Sequence, residues 1–169
     1  MLTNPEKIPY TILKAQITAL SPENQLIPVL AYGSGARVSE LNQIKKSDII
    51  IEGEYLTVTC KVLKKRKAFN VFRRALIRLN ETWLVDPIMN KVKSLSNPDD
   101  RLIPYSRITV FRKLKKLTGI NPHGFRKLRA THLVQNYGFT AHQLKKFFDW
   151  SSIAPSDFYV KLNLDDIKY

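Results

Sequence analysis

The sequence predicts a mainly α-helical α+β domain that contains one small three-stranded antiparallel sheet. Three observations favour this fold class. Apolar residues recur at helical spacing through most of the chain, one central stretch is instead rich in β-forming residues, and glycine or proline marks the ends of elements. The 169 residues and 44% hydrophobic content suit a single folded domain with a sizeable core.

The first third of the chain is predicted to be helical. Residues 1–20 are interpreted as a lead-in segment with a short helix over residues 11–20. Ser21 followed by proline is a strong helix start, an N-cap with proline at the first helical position. That helix is expected to end near residue 32, before the sequence Gly-Ser-Gly, and a further helix is predicted over residues 37–44.

The sheet is predicted from three stretches that are rich in β-forming residues. These are residues 48–52, 55–62 and 67–72, and Gly53 marks the turn between the first two. The second hairpin would turn at residues 61–67, where five of the seven residues are basic. So much charge at a hairpin tip indicates either a solvated turn or a segment that touches phosphate.

From Arg74 onward the pattern predicts helices only. The expected helices cover residues 80–94, 106–118, 124–137, 140–148 and 156–162. Gly119 and Gly138 end two of them, and Thr140 caps the start of another.

Basic charge dominates the composition. Lys and Arg number 28 against 14 Asp and Glu, which gives a formal net charge of +14 and an isoelectric point near 10.0. Such an excess on a small domain repels itself and is typical of proteins with a polyanionic partner. Nucleic acid is therefore the first expectation.

Several other classes are disfavoured by the composition. The longest apolar stretch, residues 26–32, is too short for a membrane span and contains Pro28. Cys60 is the one cysteine and cannot form an internal disulfide, and three histidines with one cysteine make a poor zinc set. We expect a cytoplasmic, DNA-associated protein with no membrane partner, no metal and no other cofactor.

Two arginines lie at predicted helix starts, where free backbone amides and the helix dipole favour anions. Arg37 follows the Gly-Ser-Gly turn, with Glu40 one turn further on. Arg126 follows His123 by three residues, so both can face one ligand. Each pair also has an ordinary interpretation, namely a surface ion pair in the first case and a capping histidine beside a solvated arginine in the second.

A third place of interest holds Trp150 and, nine residues later, Tyr159. Either ring could simply pack in the core. In chain order, however, these places form one series: an arginine, a hairpin lysine, a His-x-x-Arg pair, a tryptophan and a tyrosine. This series resembles the catalytic signature of the tyrosine recombinases, also called the phage integrase family.

The resemblance covers about residues 21–164 and rests on two sequence boxes. Residues 30–41 are similar to the first box, which ends in Arg-x-Ser-Glu-Leu, and residues 123–133 are similar to the second. It implies the tyrosine recombinase catalytic-domain fold over residues 21–164, with residues 165–169 as a C-terminal tail. The catalytic positions that it implies are Arg37, Lys61, His123, Arg126, Trp150 and Tyr159.

The chain departs from the family pattern in three ways. Phe125 stands where leucine is usual, and Trp150 stands where histidine is more frequent, although tryptophan also occurs there. The hairpin lysine is not unique, because strand ends favour Lys61 while Lys64 and Lys65 remain alternatives. Family members usually carry a helical DNA-binding domain before the first box, and we expect that domain to be absent here, which favours a catalytic-domain fragment over a minimal enzyme.

The resemblance implies metal-independent DNA cleavage and rejoining through a 3′-phosphotyrosine, as in type IB topoisomerases. Arg37 and Arg126 would neutralise the phosphate oxygens, Tyr159 would be the nucleophile, and Lys61 would protonate the leaving 5′ oxygen. His123 would position or deprotonate the tyrosine, and Trp150 would pack the site and donate one hydrogen bond. The biological role would be DNA recombination or integration, consistent with a virus or plasmid as the source.

Double-stranded DNA is the expected partner, together with self-association on DNA into a four-protomer synapse. Basic residues near the expected site in sequence are predicted to contact the DNA backbone; they are Lys64, Lys65, Arg66, Lys127 and Arg129. Three other functions stay open: a supercoil-relaxing topoisomerase, a DNA-binding module of this fold without catalysis, and a basic RNA-binding protein.

Overall fold

A computed structural model of the chain describes residues 7–63 and 71–165, with side chains described as far as residue 161. The described residues form eight α-helices and one sheet of three antiparallel strands, which confirms the predicted fold class. In chain order the elements are α1 (Tyr10–Thr18), α2 (Pro22–Ser34), α3 (Val38–Leu41), β1 (Ile49–Glu52), β2 (Tyr55–Lys61), β3 (Phe72–Arg78), α4 (Thr82–Ser94), α5 (Arg107–Thr118), α6 (Pro122–Tyr137), α7 (Ala141–Phe148) and α8 (Ala154–Asp165).

The helix ends follow local capping chemistry. The side chain of Asn121 accepts a hydrogen bond from the Gly124 N–H at 2.7 Å, and so caps the start of α6. Thr140 caps α7 in the same way through the N–H of Gln143. Because proline fits the first helical position, α6 begins at Pro122, before the predicted residue 124.

Helix α2 lies at the centre of the fold and packs against α1, α4, α5, α6 and β3. Its second half is buried on all sides, from Ile27 to Ser34. The predicted lead-in segment adds to this core, because Ile8, Leu13 and Ile17 are all buried in it. The first helix therefore shares one hydrophobic core with the elements that follow.

The sheet has the order β1-β2-β3, with Ile49 opposite Val58 in the first pair of strands and Lys61 opposite Phe72 in the second. Alternate residues of β2 and β3 point toward the helices and are buried; they are Leu56, Val58, Cys60, Arg73, Ala75 and Ile77. One face of the sheet thus closes the core beside α2.

The prediction that the chain is helical from Arg74 onward is wrong, because β3 continues to Arg78. The inward positions of β3 include Arg73, whose charge hides the alternation of buried and exposed residues when only the sequence is read. Of the third strand predicted over residues 67–72, residues 67–70 lie outside the described residues, and Phe72 is the first residue of β3.

The helix predicted over residues 37–44 is also shorter than expected, because α3 ends at Leu41. The carbonyl of Asn42 accepts a hydrogen bond from the Arg101 side chain, and the carbonyl of Ile44 accepts one from the Leu102 N–H. A distant segment therefore pairs with the backbone where the helix was predicted to continue.

Candidate active site

Arg37 lies between α2 and α3 and is held by a buried carboxylate. The Glu40 side chain is fully buried and accepts hydrogen bonds from the Arg37 backbone N–H at 3.0 Å and from its Nη1 at 3.1 Å. The Arg37 side chain itself stays 29% exposed. Its guanidinium therefore has a fixed position and still reaches solvent, as a ligand-binding arginine must.

Arg126, in the second turn of α6, joins the ends of two other helices. Its Nη1 donates to the Gly35 carbonyl at 2.7 Å and its Nη2 to the Phe148 carbonyl at 3.3 Å. The guanidinium carbon lies 4.8 Å from the centre of the Phe148 ring. Only 4% of the residue is exposed, so its orientation is set by the protein.

The surroundings of Arg126 are strongly positive. Burial, together with the charges of Arg37 and Arg73, lowers the pKa of Arg126 to about 9. Among the residues that the structure describes, neither Arg73 nor Arg126 has a carboxylate within ion-pair distance. Buried charge of one sign is costly, and an anion bound beside these guanidinium groups would offset that cost.

Three aromatic rings form a stack beside Arg126. The ring centres of Phe148 and Trp150 are 4.7 Å apart, and those of Trp150 and Tyr159 are 5.9 Å apart with nearly parallel planes. Asp149 adopts a left-handed backbone conformation, with φ of 53°, and so ends α7 between the first two rings. Tyr159 is 8% exposed, and it lies close enough to Arg126 to influence the pKa of that guanidinium.

His123 and Lys61 lie on elements that adjoin this group. His123 is exposed in the first turn of α6, three residues before Arg126. Lys61 is the exposed last residue of β2, and it follows Cys60, whose partner across the sheet is Arg73. The fold thus brings Arg37, Arg126, Trp150 and Tyr159 together, with His123 on the same helix as Arg126.

Comparison with known proteins identifies the family. The model of the phage integrase family matches residues 6–165, nearly the whole chain. The chain belongs to the phage integrase family.

Relatives of this integrase-family chain include the tyrosine recombinase XerA of Pyrococcus horikoshii. The two are 23% identical over 175 residues, which cover 97% of this chain and 61% of that protein. A probable integrase/recombinase of Acholeplasma phage L2 is 31% identical over 140 residues, 79% of this chain and 47% of the phage protein. The chain therefore spans about half to three-fifths of the length of these relatives.

Solved structures share the fold. A crystal structure of XerA recombinase superposes with a TM-score of 0.69 at 17% identity, over 96% of this chain and 63% of that one. The XerH site-specific recombinase, bound to palindromic difH substrate in a post-cleavage complex, also gives a TM-score of 0.69, at 16% identity over 92% of this chain and 48% of that one. The fold is therefore that of a tyrosine recombinase catalytic domain.

The predicted DNA-contacting residues of this integrase-family chain fall into three groups. Lys64, Lys65 and Arg66 lie outside the described residues. Lys127 is half-buried on α6. The prediction for Arg129 is wrong: it is 1% exposed, and its guanidinium lies 3.6 Å from the buried Glu81 carboxylate, out of reach of a DNA phosphate.

Arg73 is a residue at this site that the sequence analysis missed. It is 4% exposed, and its Nη1 donates to the Phe147 carbonyl at 3.0 Å while its Nη2 donates to the Ser34 carbonyl at 2.8 Å. The available signal was its place in the alternation with Ala75 and Ile77, which are both buried.

No helix in the described part of the chain is long and apolar enough to cross a bilayer. Residues 7–63 and 71–165 also contain no group of three or more His, Cys, Asp or Glu side chains placed to hold a metal ion. The described groups that contact the Arg126 guanidinium are backbone carbonyls and aromatic rings.

Proposed function

We propose that this chain carries out site-specific DNA recombination, by cutting and rejoining DNA through a covalent 3′-phosphotyrosine. One observation carries the proposal: Tyr159 is stacked beside a cluster of three arginines, Arg37, Arg73 and Arg126, and among the described residues only Arg37 has a carboxylate within ion-pair distance. Such a cluster suits a phosphodiester, whose charge on the nonbridging oxygens grows in the transition state.

The charges of the site favour phosphate as the ligand. Arg37 is paired with Glu40, whereas the hydrogen-bond partners of Arg126 in the described part of the chain are uncharged carbonyls. These carbonyls engage two of the Arg126 N–H groups and leave others to donate to phosphate oxygens. Arg37 and Arg126 would clamp the scissile phosphate with charge-assisted hydrogen bonds, the work that metal ions perform in many nucleases.

The proposed reaction begins at the Tyr159 hydroxyl. Its oxygen attacks phosphorus, the bond to the 5′ oxygen breaks, and a 3′-phosphotyrosine and a free 5′-hydroxyl result. Lys61 donates a proton to the leaving 5′ oxygen, and His123 positions the tyrosine and accepts its proton. Because the phosphotyrosine link keeps the energy of the phosphodiester, a 5′-hydroxyl from a second strand can reverse the step and rejoin the DNA.

Trp150 has a positioning role in this proposal. Its ring lies between those of Phe148 and Tyr159, so it limits the rotation of the nucleophile. The indole N–H adds one hydrogen-bond donor toward the phosphate. A ring of this size holds Tyr159 in one orientation before DNA binds, which lowers the entropic cost of attack.

Double-stranded DNA is the proposed substrate. The structural relative XerH is a site-specific recombinase bound to palindromic difH substrate. The charge of +14 supports the same class of partner, and Lys64, Lys65, Arg66 and Lys127 are the proposed backbone contacts. We further infer that protomers self-associate on DNA, since strand exchange needs two cut duplexes.

The proposal is tested by covalent trapping on nicked suicide duplexes with a randomised sequence around the nick. Once Tyr159 attacks, the short fragment that carries the new 5′-hydroxyl diffuses away, and rejoining is blocked. Wild-type protein in excess, at low salt and with EDTA, should give a protein–DNA band on a denaturing gel. Tyr159→Phe should abolish the band, because it removes only the attacking hydroxyl.

Exposed Tyr105 supplies the matched control, since Tyr105→Phe should leave the band intact. A band that survives Tyr159→Phe would place the nucleophile elsewhere, with Tyr169 tested next by the same substitution. If the protein binds the randomised duplexes but gives no covalent band with them, a DNA-binding module without catalysis is favoured. Loss of the wild-type band in EDTA alone would contradict the metal-independent mechanism.

A further inference from the structure

We propose that Arg73 is a positioning residue that holds Arg126 in place for phosphate binding, a role that rests on the function proposed above. The key observation is that the two side chains bridge the same pair of chain segments, one residue apart. Arg73 binds the carbonyls of Ser34 and Phe147, and Arg126 binds those of Gly35 and Phe148.

These four hydrogen bonds tie the C-terminal end of α2 to the C-terminal end of α7. Carbonyls at the ends of helices have no partner within the helix, so they are free to accept from side chains. Arg73 uses the first carbonyl of each segment, at 2.8 and 3.0 Å, and Arg126 uses the second, at 2.7 and 3.3 Å. Arg73 and Arg126 thus each fix the distance between the two segments. Both hydrogen bonds of Arg126 depend on that distance.

The Phe148 ring completes the arrangement. The guanidinium carbon of Arg126 lies 4.8 Å from the ring centre and that of Arg73 lies 5.9 Å from it. Gly35 packs against the same ring so closely that a Cβ atom there would come within 2.5 Å of it. Movement of either segment would therefore displace the Phe148 ring, and with it the Trp150 and Tyr159 rings that continue the stack.

Arginine suits this position better than other side chains. Its planar guanidinium presents donors in a fixed fork, so one residue can bind two carbonyls in a defined geometry. A lysine at this position is a point donor on a flexible stem, and an apolar side chain would leave both carbonyls without this donor. Arg73 also places a positive charge beside Arg126, although Arg126 and Arg37 are the groups proposed to touch the phosphate.

The test compares Arg73→Lys and Arg73→Met with wild type. Arg74→Met is the matched control, because Arg74 is the next residue of β3, lies on the opposite face of the sheet and is mostly exposed. The first readout is the single-turnover rate of covalent complex formation, measured beside the dissociation constant for the same DNA. The second readout is the ¹⁵Nε–H NMR signal of Arg126 without DNA, assigned by its loss in Arg126→Lys.

Both Arg73 variants should slow cleavage by on the order of 10²-fold, since a displacement of about 1 Å at a reacting group has that effect. The dissociation constant should change by less than about threefold, because phosphate contacts along the duplex dominate affinity. The Arg126 signal should shift and exchange faster with solvent. Arg74→Met should leave both the rate and the signal close to wild type.

Unchanged rates in both Arg73 variants, or an Arg126 signal at its wild-type position, would overturn the proposal. Loss of the folded state in both variants would do so too, because Arg73 would then have a purely structural role. If wild-type protein forms no covalent complex, the proposed function fails, and the Arg126 signal in the free protein still decides whether Arg73 positions it.

Discussion

His132 illustrates how completely the interior of this protein fixes a single side chain. It is fully buried on α6, with Nε2 at 2.7 Å from the Ile8 carbonyl and Nδ1 at 2.8 Å from the Tyr32 hydroxyl. A carbonyl can only accept, so Nε2 carries the proton and Nδ1 accepts from the tyrosine. The neutral ring therefore satisfies both neighbours, and a second proton on Nδ1 would leave the Tyr32 hydroxyl proton without this acceptor.

Stability should consequently fall in mild acid. Burial lowers the pKa of His132 below its ordinary value of 6.5, and the charge of Arg129 lowers it further. The unfolded chain binds this proton more readily than the folded chain, so the unfolding free energy decreases as the pH drops below about 6.5, by at most about 1.4 kcal/mol per pH unit. Urea unfolding at about pH 7.5 and about pH 5.5 measures the effect.

The variant that tests this assignment is His132→Gln, which keeps a donor for the Ile8 carbonyl and removes the titratable ring; His142→Gln is its control. His132→Gln should lose part of the acid dependence. The same change at His142, which is exposed, should keep the full dependence. Equal slopes in all three proteins would assign the acid sensitivity to other groups.

The ends of α2 and α7 are the elements on which the site depends. Helix α2 is capped by Gly35, whose φ of 61° lies in the left-handed region, and the reversal presents the Gly35 carbonyl to Arg126. One residue, Ala36, then leads to Arg37 at the N-cap of α3. One helix terminus therefore places an acceptor for one site arginine and the backbone of the other.

Gly35→Ala should therefore impair both stability and cleavage. The left-handed backbone costs a non-glycine residue about 1–2 kcal/mol, and the new Cβ would also push the Phe148 ring. Gly138→Ala is the matched control, because Gly138 also ends a helix, with φ of 64°, and has nothing within 4 Å of a new Cβ. Thermal unfolding and the covalent trapping rate provide the measurement.

We expect Gly138→Ala to lose only the backbone contribution and to cleave at the wild-type rate. Gly35→Ala should lose more stability and also slow cleavage. Equal stability losses with equal cleavage rates would show that the contact between Gly35 and Phe148 does not support the site.

The charge of the whole molecule divides into surface charge and buried charge. The net charge of +14 suggests a uniformly basic surface, but Arg73, Arg126 and Arg129 are interior residues. Of these, Arg129 is held near Glu81 and lies over the Tyr32 ring, so it contributes to packing. Only the exposed lysines and arginines can release counterions when DNA binds.

DNA affinity should fall steeply with salt, by roughly 10³-fold or more between 50 and 200 mM if six or more phosphates are contacted. Lys127→Ala should reduce the slope of log affinity against log salt by about one. A double variant, Arg129→Gln with Glu81→Gln, should leave that slope unchanged, because neither group reaches the DNA. Fluorescence anisotropy over a salt series measures both slopes, and a reduced slope in the double variant would return Arg129 to the DNA-contacting surface.

Much of this architecture is predictable from local sequence. Proline at the start of α2, the Ser106 and Thr140 caps and the glycines that end α5 and α6 all act within one helical turn, so their effect needs no tertiary information. Likewise, the two sequence boxes contain Arg37 and Arg126 near predicted helix starts, and the fold places Arg37 at the N-cap of α3 and Arg126 in the second turn of α6. Local hydrogen bonding and periodicity were sufficient for these features.

The fate of each arginine, by contrast, depended on the tertiary structure. Arg126 and Arg129 lie three residues apart on one helix, and one faces backbone carbonyls beside Tyr159 while the other lies near buried Glu81. From the sequence alone, Arg73 looks like a surface residue. Its burial follows from the pairing of β3 with β2 and from its hydrogen bonds to carbonyls at the ends of α2 and α7. Burial of a charge depends on partners that are distant in sequence, and only the folded chain brings those partners together.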